Sequence, residues 1–173
     1  MIRLASIRDI KGINRLLLQV QKVHSDIRPD LFKDGGKKYN DYELEEIIKN
    51  SETPIFVYEL DNMIVGYVFC IITNHHNETS FCNHKTIYVD DLCVDEKTRH
   101  EGIGTALYEY VLEYAKSIGC YNVTLNVWEG NGSAMEFYKG RGMKLQKICM
   151  EKNFIKLKYF NTSLNIFIID VKI

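Results

Sequence analysis

The chain has 173 residues, 46 % of them hydrophobic and 26 % charged, with a net charge of −1. That length suits one domain with a core large enough to fold without staples. The composition excludes a disordered chain, and the near-zero charge gives no global basic field for nucleic acid or an anionic membrane.

Ile2 to Ala5 reads as a short strand. Ser6 and Asp9 resemble a capping box, with Asp in place of the usual Glu. Ile10, Ile13, Leu16, Leu17, Val20 and Val23 recur at helical spacing, so a helix is predicted from Asp9 to about His24. An irregular segment follows, broken by Pro29 and by Gly35-Gly36. Tyr42 to Lys49 reads as a second helix. Pro54 to Leu60 and Met63 to Thr73 are strands, and Asp61-Asn62 between them predicts a hairpin. Asn74 to Asn83 is a polar loop, and Thr86 to Val94 is the next strand. Ile103, Leu107, Val111, Tyr114 and Ile118 then make one face of a helix, with Gly119 as its stop. Val123 to Trp128 reads as a strand, a helix begins near Asn131, and Met143 to Glu151 reads as another strand. The predicted order is β-α-α-β-β-β-α-β-α-β, an α/β (α+β) arrangement around a mixed sheet. The tail from Asn153 to Ile173 reads as one or two further strands. A strand that apolar must pair within the fold or against a second subunit, so a homodimer is one expectation.

Cys70, Cys82, Cys93, Cys120 and Cys149 form an odd, scattered set. The N-terminus lacks the apolar core of a signal peptide. The longest apolar run, Met63 to Ile72, is about half of the roughly 20 residues that a spanning helix needs. The expected setting is the reducing cytoplasm. His75, His76, Cys82 and His84 share one loop, but their spacing matches no standard zinc site, and no metal is expected.

The stretch from Val89 to Met143 carries the functional signal. A strand leads through a polar turn into Arg99-His100-Glu101-Gly102-Ile103-Gly104-Thr105 and then a long helix. Such a turn makes an anion cradle. Glycines let the backbone approach a ligand, and the first N–H groups of the helix point outward with the dipole behind them. The dinucleotide fingerprint G-x-G-x-x-G is incomplete, since no third glycine follows, and the phosphate loop G-x-x-x-x-G-K-S/T is absent.

The string from Val94 to Leu107 resembles motif A of the GNAT acetyltransferase superfamily, Q/R-x-x-G-x-G/A. Asn131-Gly132-Ser133-Ala134-Met135-Glu136-Phe137-Tyr138, with Gly142-Met143, resembles the family's motif B, N-x-x-A-x-x-F-Y-x-x-x-G-F/M. Both motifs occur in the family's order and on the matching predicted elements. The resemblance implies a GNAT fold over residues 1–152, with a mostly antiparallel sheet flanked by about four helices. Residues 153–173 would be a C-terminal strand extension. It also implies that acetyl-CoA lies where the strands ending at Val94 and starting at Val123 splay apart. The backbone of Leu92, Cys93 and Val94 would pair with the pantetheine arm. Arg99, His100, Glu101, Gly102, Ile103 and Gly104, with the Thr105 hydroxyl, would hold the pyrophosphate. Asn131 and Ala134 would contact the cofactor, and Tyr138 would lie near its sulfur. Glu96 and His100 stand where the family often has proline and glycine.

The implied activity is transfer of an acetyl group to an amine acceptor by direct attack in a ternary complex. A transferase of larger acyl groups and a non-catalytic acyl-CoA-binding module are the alternatives. The chemistry needs a neutral amine, fixed donors for the oxyanion and a proton for the leaving thiolate. A backbone N–H between Leu92 and Val94 could serve the oxyanion, and Tyr138 the thiolate, unless Tyr138 merely packs beside Phe137. For the base, Asp90 competes with a chain of waters. Asp90 shares a strand face with Tyr88, and Asp91 lies on the other face unless a bulge intervenes. Cys93 has no histidine at a spacing that would activate it. Aspartates and lysines intermingle between residues 26 and 41, so the acceptor is not legible.

Overall fold

The computed structural model describes residues 1–80 and 82–154. Five strands form one sheet: β1 (Ile2–Leu4), β2 (Ile55–Leu60), β3 (Met63–His75), β4 (His84–Val94) and β5 (Asn122–Leu125). They lie side by side in chain order. The first four are antiparallel, and β5 runs parallel to β4. Asp61 and Asn62 turn the β2–β3 hairpin with φ of 48° and 61°, the left-handed pair that matches the twist of the two strands. There are four helices: α1 (Ile10–Ile27), α2 (Asp41–Lys49), α3 (Ile103–Ser117) and α4 (Gly132–Lys139).

The unbroken apolar run of β3 follows from its place. Ile64 to Cys70 are all buried, because helices cover both faces of the sheet. On one face Ile13, Leu16 and Leu17 of α1 and Leu44 of α2 meet Tyr67, Phe69 and Cys93. On the other, Ile103, Leu107, Val111 and Ala115 of α3 meet Phe56, Val65, Val68, Ile87 and Val89. The α3 helix can approach this closely because β3 carries Gly66. A Cβ there would stand 2.9 Å from Leu107 Cδ1 and 3.2 Å from the Cys93 carbonyl.

The expected capping residues anchor the start of α1. Asp9 accepts a 2.7 Å bond from the Ser6 N–H and a bidentate pair from Arg3, which also reaches Glu59 on β2. Burial opposes the charge of Asp9, but these bonds hold its carboxyl down at about 2.

Two sequence expectations are corrected. The fifth strand ends at Leu125, not Trp128, because β4 leaves it there and no other described strand lies on its outer edge. Met143 to Glu151 form no strand. Leu145 is 75 % exposed and Met150 89 %, and this stretch pairs with no strand among the described residues. The strands expected beyond Phe154 lie outside the described residues. No helix among those described is long and apolar enough to cross a membrane. No cluster of three or more histidine, cysteine or acidic residues among them is placed to hold a metal ion.

Candidate active site at the split between β4 and β5

The β4–β5 pairing runs from Thr86 opposite Asn122 to Val89 opposite Leu125 and then stops. β4 continues from Asp90 to Val94 with no described strand on that side. The expected pantetheine-pairing residues Leu92, Cys93 and Val94 all lie on this stretch, paired with β3 on one edge and with no described strand on the other.

A bulge marks the start of the split. On β3, Cys70 stands opposite Val89 and Phe69 opposite Asp91, which leaves Asp90 as the extra residue. The alternation of β4 changes phase at this point. Ile87 and Val89 face α3, whereas Cys93, four residues beyond Val89, packs among the residues of α1. Asp91, opposite Phe69 and two residues before Cys93, shares the α1 side.

The two aspartates therefore differ. Asp90 Oδ2 takes 2.7 Å from Lys38 Nζ and 3.0 Å from the Tyr39 hydroxyl, so it is an ion-paired carboxylate. Asp91 is only 8 % exposed. Its Oδ2 accepts a 2.9 Å bond from the hydroxyl of fully buried Tyr67. Burial pushes its carboxyl up to about 6, although nearby Lys38 and the Tyr67 bond pull the other way.

Tyr138, on α4, comes to the same place. Burial and then the Asp91 charge push its hydroxyl well above the usual phenol range. Its ring packs on Tyr108 and Phe137 with centroids 5.7 and 5.0 Å away. The hydroxyl has no hydrogen-bond partner among the described residues. Cys93 is inert by contrast. Its thiol donates to the Leu16 carbonyl at 3.6 Å, and burial pushes it up to about 12.

Gly102 caps α3 with a φ of 83°, a left-handed conformation that suits glycine. The first bond within the helix runs from the Ala106 N–H to the Gly102 carbonyl. The N–H groups of Ile103, Gly104 and Thr105 precede it and are left for a ligand. His100 also takes a positive φ, 69°, at the position where the family often has glycine. Histidine tolerates this conformation better than most side chains do. Arg99, His100 and Glu101 complete the turn, and Arg99 Nε donates to the Val94 carbonyl at 3.3 Å. Asn131 has a local task besides any contact with a ligand. Its Oδ1 caps α4 by accepting from the Ala134 N–H at 3.2 Å and the Ser133 hydroxyl at 3.1 Å.

Several contacts at the split escaped the sequence reading. Asn126, just past the last β5 pair, donates to the Tyr88 hydroxyl at 3.1 Å. Phe32 and Trp128 meet edge to face at 5.5 Å, and Arg28 lies over the Trp128 ring. The α1–α2 connection thus folds over the end of β5. Lys38, Tyr39 and Tyr67 carry no local motif. Only the Asp90-Asp91 doublet hinted at a special place, and its meaning depended on the bulge.

The acetyltransferase (GNAT) family matches residues 20–143. The chain belongs to the GNAT acetyltransferase family. It is 31 % identical over 156 residues to an N-alpha-acetyltransferase of Sulfurisphaera tokodaii, covering 84 % of this chain and 79 % of that one. It is 32 % identical over 112 residues to an uncharacterized N-acetyltransferase of Methanocaldococcus jannaschii, covering 65 % of this chain and 48 % of the relative. It thus spans about half the length of that second protein. A solved tetramutant of a Bacillus halodurans protein superposes with a TM-score of 0.84 at 28 % identity, covering 89 % of this chain and 99 % of that one. The mixed sheet and four helices are those of the GNAT fold.

Proposed function

We propose that this chain is an acetyl-CoA-dependent N-acetyltransferase acting by direct attack of an amine in a ternary complex. The observation that carries this reading is that Asp91 and Tyr138 both lie at the split, near enough for the Asp91 charge to act on the Tyr138 hydroxyl. One is a buried carboxyl raised to about 6, the other a half-buried phenol with no side-chain or backbone partner among the described residues. A carboxylate raised towards neutrality accepts a proton from an attacking amine better than an ordinary one does. A phenol that stays protonated at neutral pH can donate to a departing thiolate. A module that merely binds the cofactor has no need of such a pair.

Each chain residue then has a part. The N–H groups of Ile103 to Thr105 bind the pyrophosphate, and the bare edge of β4 from Leu92 to Val94 aligns the pantetheine. An N–H of that edge holds the oxyanion. Asp91 takes the amine's proton and Tyr138 supplies one to sulfur. Asp90, already paired with Lys38, sets the charge at the mouth of the split. The Cys93 thiol is too buried and too weakly acidic to serve as an acyl carrier, which supports direct attack over a covalent enzyme intermediate. The acceptor is an amine that enters between the α1–α2 connection and β4.

The cofactor assignment has a direct test. Acetyl-CoA is expected to raise the melting temperature, because it binds only the native state, and ATP or NADH at equal concentration should do less. Gly104→Glu should abolish the shift. A Cβ at Gly104 points at Phe137 and Val94, each 3.6 Å away, so the added carboxylate would enter the cradle. Equal shifts with NADH and acetyl-CoA would refute the assignment. Release of free CoA with a panel of amines would separate an enzyme from a binding module.

A further inference from the structure

We propose that Arg141 is a ligand of the cofactor's pyrophosphate and orients the Thr105 hydroxyl towards it. This rests on the acetyl-CoA reading above. Arg141 follows α4, at a position that the second motif leaves unspecified. Its Nη2 donates to Thr105 Oγ1, and its Nη1 donates to the Phe137 carbonyl at 3.0 Å. The guanidinium stacks on the Phe137 ring at 3.7 Å from the centroid. That ring's Cε2 lies 3.6 Å from where a Gly104 Cβ would be. A fixed cation therefore stands against the first turn of α3.

Three features point to an anion as its missing partner. Nε is buried with no hydrogen-bond partner among the described residues, and an unmade bond from a buried donor is costly. Arg3, Arg15 and Arg28 each pair with a carboxylate. Arg141 has none among the described residues. Finally, the bond from Nη2 fills a lone pair of the Thr105 oxygen. The hydroxyl hydrogen must then point elsewhere, and the free N–H groups of the same turn mark where an anion would receive it. A planar guanidinium suits two oxygens of a diphosphate.

A bare clasp between α4 and α3 is the alternative, and ligand truncation distinguishes the two. Arg141→Leu and Arg141→Lys would be titrated with CoA, with dephospho-CoA and with pantetheine, which lacks the pyrophosphate. For Arg141→Leu we expect about 10–100-fold weaker binding of CoA and of dephospho-CoA alike, with pantetheine binding unchanged. Arg141→Lys should fall between Leu and wild type, because it keeps the charge and loses the fork. Unchanged CoA binding in Arg141→Leu would overturn the proposal. Equal weakening of pantetheine and CoA would overturn it in favour of a clasp. A loss with CoA that vanishes with dephospho-CoA would overturn the pyrophosphate assignment in favour of the 3′-phosphate. Wild-type protein that binds no CoA would overturn the cofactor reading itself, which keeps the two failures apart.

Discussion

Asp91→Asn is expected to lower kcat/KM by about 10²–10⁴-fold, the usual contribution of a positioned general base. The same change should erase one limb of the pH profile. Burial raises the Asp91 carboxyl to about 6 in the folded enzyme. Below that pH the group is protonated and cannot accept a proton, so activity should rise as pH climbs through about 6. A second rise at higher pH belongs to the acceptor amine itself. Asparagine keeps the shape and can still accept the Tyr67 hydroxyl, so the fold should persist. The variant should retain the amine's limb and lose the one near 6. Asp90→Asn is the comparison. It should keep the limb but move it to lower pH, because Asp91 is intact and loses the neighbouring charge that helps to raise it. Persistence of the limb in Asp91→Asn would assign the base to another group.

Tyr138→Phe should cut kcat at least about 10-fold, with acetyl-CoA affinity nearly unchanged. A thioester sulfur accepts hydrogen bonds poorly, so the hydroxyl adds little to ground-state binding. As the C–S bond breaks, sulfur gains negative charge and the bond strengthens. Such an interaction acts on kcat rather than on binding. Phenylalanine keeps the packing on Tyr108 and Phe137 and removes only the proton. A variant turning over at the wild-type rate would make Tyr138 a packing residue. A parallel loss of affinity would mean that the hydroxyl holds the cofactor.

Elements with strong local periodicity were legible in the chain. The α1 and α3 faces, the Asp61-Asn62 hairpin turn and the glycine turn before α3 lie where pattern placed them. The end of β5 was not legible. Asn126-Val127-Trp128 continues the pattern of a strand, but strand character needs a backbone partner, and β4 has already turned away. The same holds for Met143 to Glu151. Periodicity reports which side chains could share a face, not whether another strand is at hand. The site divided similarly. Motif residues around Gly102 and Tyr138 could be named from sequence. Lys38, Tyr67 and Arg141 could not, because each meets its partner across a distance in the chain that no local pattern spans. Asp91 was visible, but its orientation depended on an irregularity in strand pairing.

That irregularity depends on the number of residues in the strand more than on their kind. Asp90 is supernumerary, and any side chain at that place would keep β4 out of step with β3. Substitution there changes the charge at the entrance, whereas loss of one residue would change the architecture. With Asp90 removed, Asp91 would follow Val89 in ordinary alternation, and the bend that starts the fork would be gone. β4 could then stay beside β5 for longer. The gain would be a more regular sheet, and the loss would be the opening through which, on the proposed function, a thioester reaches Asp91. In this protein an imperfection in pairing on one edge of β4 and the opening on its other edge begin at the same place.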